Sequence, residues 1–337
     1  MFCFFNGPSL EETELVPTSK HVGQLKPNFV ALLNNRSFFT SERIDIPVHP
    51  VFCECEICFF ALKILSWDSE LLQNFKELEL NNLNIEESTI TLQKVLLSSV
   101  DSSLIQKTSS DLVPGFYEGG FKTWECALDL CSFLYTYIYN LSKNKKNPFQ
   151  LNVLELGCGS SLPSSLLAKL AKSKFNLVCH LSLQDFNKEV LAQISLSNIV
   201  LNTSEQLNIG NSEEFNICIE LLNQHKLYYC DWSAFNTSGA KQFDLIISSE
   251  TIYHNLSHEK LFYCIKRCLS RTNPEAVCLI AAKSYYFGVG GSMNHFKEIV
   301  DKDGELNWKS CYLHDSGIQR EILALKFSKV STGRSHS

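Results

Sequence analysis

Residues 151–160, LNVLELGCGS, constrain the fold more than any other stretch of the chain. An apolar, strand-like run ends in the acid Glu155, two glycines follow one residue apart, and a helical pattern covers Leu162 to Lys172. Strand, tight turn and helix in that order form the ligand-cradling opening of a doubly wound α/β sheet. Gly157 and Gly159 let the backbone turn sharply and approach a ligand with no side chain between. A dinucleotide site needs a third glycine where helix and strand pack, and Ser161 and Pro163 occupy that region. It also sets a pyrophosphate on the helix N-terminus. S-adenosylmethionine carries no phosphate, and Glu155 before the first glycine suits its positive sulfonium and ammonium groups.

Downstream, Leu177 to Asp185 (LVCHLSLQD) is strand-like and ends in a carboxylate. Asp185 lies 28 residues after Gly157, beyond the roughly 20 of nucleotide folds; a longer first helix and loop absorb the difference. A carboxylate there can accept both ribose hydroxyl hydrogens, and Phe186 can lie against an adenine face. Asp185 as N-cap of a helix over 187–201 is a compatible alternative.

At 337 residues with 45% hydrophobic composition, the chain is long enough for one large domain plus extras. A net charge of −6 argues against non-specific nucleic-acid binding. The start MFCFFNGPSL lacks the features of a signal peptide, and no run of 18 apolar residues predicts a membrane span. Fourteen cysteines in such a chain read as reduced thiols, which makes the cytoplasm or nucleus the expected location. Cys53, Cys55 and Cys58, with His49 nearby, lack the second Cys pair of a zinc site, so no metal is expected. Val51, Ile57, Phe59, Phe60 and Leu62 around them read as an apolar segment.

Residues 1–88 have no sustained periodicity and read as a partly disordered N-terminal extension with a short helix around Ser69 to Leu80. Residues 89–330 form the domain and 331–337 a flexible tail. A helix is expected over Phe121 to Leu141, and strands at 151–156, 177–184, 226–231, 243–248, 276–282 and 320–327. Helical patterns cover 187–201, 257–270 and 292–302, and the polar residues 203–225 read as an inserted loop. Alternation of strand and helix predicts an α/β fold, a parallel sheet with helices on both faces.

Three further segments point to a ligand edge. In GFYEGGFKTWEC (Gly115 to Cys126), Glu118, Trp124 and Glu125 precede or open the long helix; Trp124 can face a sulfonium and Glu125 an ammonium. Cys230, Asp231 and Trp232 end the third strand, where an adenine pocket needs an acceptor and an aromatic wall. FDLIISSETIY (Phe243 to Tyr253) sets Ser249, Glu250 and Tyr253 at the carboxyl edge of the fourth strand, where an acceptor pocket belongs.

GFYEGGFKTWEC, VLELGCGS, LQDFN, SSETIY and AAKSYYFGVGG, in this order, resemble the protein-histidine N-methyltransferases of the seven-strand, Rossmann-like superfamily. The resemblance covers about residues 89–328. It implies S-adenosylmethionine as methyl donor and transfer to the tele nitrogen of one histidine of a large-subunit ribosomal protein. Carried over by position, it implies donor contacts at Thr123, Trp124, Glu125, Cys126, Ala127, Gly157, Gln184, Asp185, Phe186, Asp231, Trp232 and Ser249; Glu155 and Gly159 join them from the loop itself. It also implies an antiparallel hairpin of the sixth and seventh strands at the sheet edge, which suits Trp308 to Phe327. The chain departs from the family where GCGSS lacks a third glycine and where Ser292 follows Gly290 and Gly291.

An imidazole is largely neutral at pH 7, so the enzyme's task is to align the attacking nitrogen and fix the tautomer. Glu250 or Tyr253 is expected to accept a hydrogen bond from the other ring nitrogen, and the loop Tyr285 to Gly291 to close over the target. A lysine methyltransferase of the same fold shares the donor motifs, and a non-catalytic module that binds ribosomal proteins is the alternative from another class. A nucleic-acid amino-methyltransferase is disfavoured: SSETIY stands where an Asn/Asp-Pro-Pro-aromatic run is needed. A monomer is expected.

Overall fold

The computed structural model describes residues 22–27, 41–47, 89–95, 112–113, 117–143, 147–171, 175–203, 212–235, 242–314 and 317–328. The expected helix at Ser69 to Leu80 and the Cys53, Cys55 and Cys58 cluster lie outside them, as does the tail. In chain order the strands are β1 (Gly23–Leu25), β2 (Ser41–Pro47), β3 (Thr89–Val95), β4 (Phe149–Leu156), β5 (Leu177–Asp185), β6 (Lys226–Tyr229), β7 (Leu245–Ser249), β8 (Val277–Lys283), β9 (Leu306–His314) and β10 (Arg320–Phe327). The helices are α1 (Glu125–Lys143), α2 (Leu162–Ala171), α3 (residues 188–203), α4 (Ser212–Asn223), α5 (Asn255–Cys268) and α6 (Met293–Asp303).

The main sheet runs β1-β6-β5-β4-β7-β8-β10-β9. β6, β5, β4, β7 and β8 are parallel, and β10 and β9 add the expected antiparallel hairpin at one edge. The sheet has eight strands rather than seven: β1, from the stretch read as an extension, pairs antiparallel with β6, Gly23 opposite Tyr229. β2 and β3 form a separate hairpin. Asn202 of α3 fastens it, accepting from the Gln93 N–H at 2.8 Å and donating to the Gln93 carbonyl at 2.7 Å.

Alternation along the strands builds two cores, because successive side chains leave a strand on opposite faces. Val153, Leu245, Ile247, Leu279 and Ala281 pack with residues of α1, α2, α3 and α4. Leu154, Leu156, Ile246, Cys278, Ile280 and Ala282 pack with α5 and α6. Truncating a fully buried leucine such as Leu154 costs about 2–5 kcal/mol, since the cavity left behind adds to the lost burial.

Two helices also differ from expectation. The first helix starts at Glu125 because Gly119 to Lys122 make a turn, closed by a Lys122 N–H bond to the Gly119 carbonyl. Residues 203–225 contain the helix α4. Its apolar stripe is narrow: Cys218 and Leu222, four apart, are fully buried while Ile217 is half exposed. Two core anchors in a polar stretch leave little periodicity to detect.

Candidate functional site

The carboxyl ends of β4, β5, β6 and β7 open into one cleft of about 890 Å³. Its floor is the turn after β4. Gly157 (φ 61°) and Gly159 (φ 48°) hold left-handed backbone, and a Cβ at Gly157 would come within 2.6 Å of the Thr251 methyl. Ser161 is also left-handed (φ 49°), fully buried, and donates its hydroxyl to the Ser195 carbonyl at 3.0 Å. The missing third glycine is thus a serine held in a glycine conformation. Ser195 lies in a π-helical turn of α3 (Leu191–Ser195) and donates to the Gly159 carbonyl at 2.6 Å.

The two glycine N–H groups are tied to the end of β5. Gly157 donates to Gln184 Oε1 at 3.1 Å and Gly159 to Asp185 Oδ2 at 2.9 Å. Gln184 Oε1 also accepts from the Trp232 indole at 2.8 Å, and its amide nitrogen donates to the Cys230 carbonyl at 2.7 Å. One side chain thereby joins the ends of β4, β5 and β6. The other Asp185 oxygen accepts from the Asn187 N–H at 3.0 Å. Burial pushes the Asp185 carboxyl up to about 6, against the pull of its backbone hydrogen bonds. Phe186 and Trp232 line the cleft. Asp231 lines it too, accepting from the Ser233 N–H at 2.8 Å and pairing with Lys260 at 3.2 Å.

Glu155 does not line the cleft. It is buried beneath the loop, accepts the Ser164 N–H of the first turn of α2 at 3.2 Å, and leaves its other oxygen without a partner. Burial pushes its carboxyl up to about 8. The acid read as facing a cationic ligand faces the helix instead.

Along the opposite wall, Trp124 and Ala127 line the cleft. The Trp124 ring already carries two ammonium groups, Lys122 at 4.5 Å and Lys283 at 5.5 Å from its centroid. Thr123 bonds Ser160 at 2.9 Å, Glu125 reaches outward to pair with Lys283 at 3.0 Å, and Cys126 is fully buried. These three and Glu155 are the predicted residues that stand outside the lining.

Ser249, Glu250 and Tyr253 line the cleft at the end of β7. Glu250 is left-handed (φ 56°), and its N–H donates to the Ala281 carbonyl at 2.9 Å. Its carboxylate accepts the Tyr286 hydroxyl at 2.5 Å and the Cys126 N–H at 3.4 Å, with the Lys283 ammonium 3.6 Å away. The Tyr253 hydroxyl donates to Glu118, also in the lining. The loop over Tyr285 to Gly291 meets this edge: Gly291 donates to the Tyr253 carbonyl at 2.9 Å, and a Cβ there would lie 2.1 Å from the Ile252 carbonyl oxygen. Local patterns place Tyr286 in the loop after β8 but do not signal its bond to Glu250, nor the ion pairs of Lys283 and Lys260, because these partners lie 29 or more residues away in sequence.

Residues 116–299 match the family described as "Lysine methyltransferase". Among curated relatives, the chain is 32% identical to "Histidine protein methyltransferase 1 homolog" of Dictyostelium discoideum, over 58% of this chain and 53% of that one. It is 34% identical to "Histidine protein methyltransferase 1" of Schizosaccharomyces pombe, over 61% of this chain and 63% of that one. It is 30% identical to the Saccharomyces cerevisiae protein of the same name, over 67% of this chain and 69% of that one. It spans less than two thirds of the length of the first two. Because the matched residues run from the YEGG turn to α6 and so carry the whole cleft, the chain belongs to this methyltransferase family and, within it, to the group named for histidine protein methyltransferase.

Proposed function

We propose that the chain is an S-adenosylmethionine-dependent protein-histidine N-methyltransferase acting on the tele nitrogen of a histidine in a large-subunit ribosomal protein. The observation that carries this reading is the placement of the Gly157–Gly159 cradle, Asp185 and Tyr253 in one cleft, in a chain whose relatives bear the histidine methyltransferase name. The cleft fits such a donor. Its volume of about 890 Å³ lies within the range of small-molecule sites. A Cβ at Gly157 would strike the Thr251 methyl and one at Gly159 would press on the Gly120 carbonyl oxygen, so the turn holds its place in the lining only with glycines there, and the carboxylates of Asp185 and Asp231 suit a cation.

When bound, S-adenosylmethionine supplies an electrophilic methyl group on a sulfonium. Asp185 offers carboxylate lone pairs to ribose hydroxyls, and Phe186 and Trp232 offer aromatic walls. Gln184 keeps the loop and the ends of β4, β5 and β6 in register. The acceptor edge at Glu250 and Tyr253 aligns the incoming imidazole, whose lone pair is available above its ordinary pKa of about 6.5.

The family description, "Lysine methyltransferase", supports a second reading with the same donor site and a lysine acceptor. Incubation of the protein with isotope-labelled donor and large-subunit ribosomal proteins, followed by mass spectrometry of the peptides, separates them. Label as methylhistidine is expected; label as methyllysine overturns the histidine assignment. Action in the cytoplasm and nucleus, as a monomer, completes the proposal. Among the described residues no helix is long and apolar enough to cross a membrane.

A further inference from the structure

Glu118, in the turn before α1, and Tyr253, just after β7, are 135 residues apart in sequence and meet in the cleft through the Tyr253 hydroxyl. Both are held from behind. The Glu118 N–H donates to Asn187 Oδ1 at 3.3 Å, and the next residue but one, Gly120, sits so close to Val190 that an added Cβ would be 2.9 Å from its methyl. The Tyr253 carbonyl is clasped by Gly291 at 2.9 Å. Glu250, by contrast, points its carboxylate at Tyr286 and Cys126 and has its Oε2 committed at 2.5 Å.

We infer that Glu118 is the residue that selects the acceptor's tautomer, acting through Tyr253. A carboxylate oxygen accepts and does not donate, so the single phenol proton of Tyr253 points at Glu118. The phenol oxygen then presents only lone pairs to the cleft, and the group beside it must bring an N–H. A histidine whose attacking nitrogen is bare carries its proton on the other ring nitrogen, which is the donor that this oxygen requires. Burial, followed by the charge of Glu118, raises the Tyr253 pKa far above the ordinary phenol value, so the phenol keeps its proton at every working pH. In the transfer step the bond from ring nitrogen to methyl carbon forms as the carbon–sulfur bond breaks, and the electron pair leaves with sulfur. The ring N–H stays in place as the ring becomes an imidazolium and goes to water after release. The bond to Tyr253 tightens as that charge develops, with the Glu118 carboxylate behind it, the arrangement by which a buried acid orients a catalytic ring elsewhere. Glu118 is a positioning residue; it works on the acceptor only through the phenol.

This inference rests on the histidine reading above. The test is a double-mutant cycle in the full chain, with Glu118→Gln, Tyr253→Phe and the double variant. Single-turnover transfer is measured from labelled S-adenosylmethionine to a mixture of large-subunit ribosomal proteins, with donor affinity measured by calorimetry. Each single variant is expected to slow transfer about 100-fold while donor affinity stays within about twofold, which also reports that the cleft is folded. The double variant is expected to be no slower than Tyr253→Phe alone. Multiplying effects in the double variant, or loss of donor affinity in Glu118→Gln, overturn the role of Glu118. Product identity is read in the same samples. Methyllysine in the unmodified protein overturns the histidine reading and this inference together, whereas methylhistidine with multiplying effects overturns this inference alone.

Discussion

Tyr286 donates a 2.5 Å hydrogen bond to Glu250 across the gap between the loop after β8 and the end of β7. The same carboxylate accepts the N–H of Cys126 in the first turn of α1 and lies 3.6 Å from Lys283. Glu250 therefore joins three elements at the acceptor edge, which explains why a non-glycine residue persists at φ 56°.

Removing the Tyr286 hydroxyl leaves one buried oxygen of Glu250 without its partner. Tyr286→Phe is expected to lower unfolding free energy by about 1.5–3 kcal/mol, the range for bonds to a charged group, with donor affinity nearly unchanged. Denaturant midpoints and calorimetry check both parts. Glu250→Gln keeps the shape and is expected to slow transfer on the order of 100-fold with donor affinity nearly unchanged.

Asp185→Ala is expected to weaken donor binding by about 1.5–3 kcal/mol. In the unmodified protein, burial pushes this carboxyl up to about 6. Above that pH it is ionised and accepts from hydroxyls; as pH falls through about 6 it gains a proton and loses acceptor capacity. Donor affinity, followed by calorimetry from pH 8 to 5, should decline across that point, and the decline should vanish in Asp185→Ala. A pH-independent affinity in the unmodified protein would remove Asp185 from the donor site.

Ser161 inverts an ordinary ranking. Alanine usually exceeds glycine in stability, but at φ 49° a Cβ costs roughly 1–2 kcal/mol. Ser161→Gly loses the 3.0 Å bond to Ser195 and gains that strain back, for a net change within about 1 kcal/mol. Ser161→Ala loses the bond and keeps the strain. The alanine variant should therefore melt below the glycine variant.

Glu155 carries a proton in the folded chain up to about pH 8, against an ordinary value of 4.5, because burial penalises its charge. Between those values the unfolded chain releases the proton and the folded chain keeps it, so this group lowers stability as pH rises and its penalty is complete above about 8. Glu155→Gln has no such slope. Its stability relative to the unmodified protein should improve from pH 5 to pH 9 by an amount on the order of 4 kcal/mol, read from denaturant midpoints. Parallel pH profiles would contradict a buried neutral Glu155.

Deleting residues 1–85 removes β1 from the edge of β6 and β2 from its pairing with β3. All cleft residues lie beyond this cut, so donor affinity should persist. The uncovered strand edges should lower the melting temperature and promote association. A folded truncated chain that no longer binds donor would show that the N-terminal strands support the cleft.

Local chemistry made much of this protein legible. Apolar runs ending in Glu155, Asp185 and Ser249, glycines at 157 and 159, and helical spacing between them required only interactions within a few residues, so the succession of strands and helices along the chain and the cleft edge could be anticipated. The hairpin of β9 and β10 followed from the family pattern. What needed the tertiary structure were relationships with no local signature. α4 took its helical form from two buried anchors, Cys218 and Leu222, set in a polar stretch. β1 was too short to register as a strand, and only the open edge of β6 gave its backbone groups partners. Glu155 looked like a ligand for a cation because strand ends usually face the cleft; its side chain instead turned to the N–H of Ser164, and the direction of one rotamer is decided by packing. Trp124 likewise met Lys122 and Lys283 before any ligand. The pairs Glu118 with Tyr253 and Glu250 with Tyr286 join residues 135 and 36 apart. Sequence determined that carboxylates and phenols would gather at one sheet edge. Only folding decided which of them turned inward to hold the elements together and which stayed facing the cleft, because each buried polar atom takes the partner that packing brings within hydrogen-bond reach.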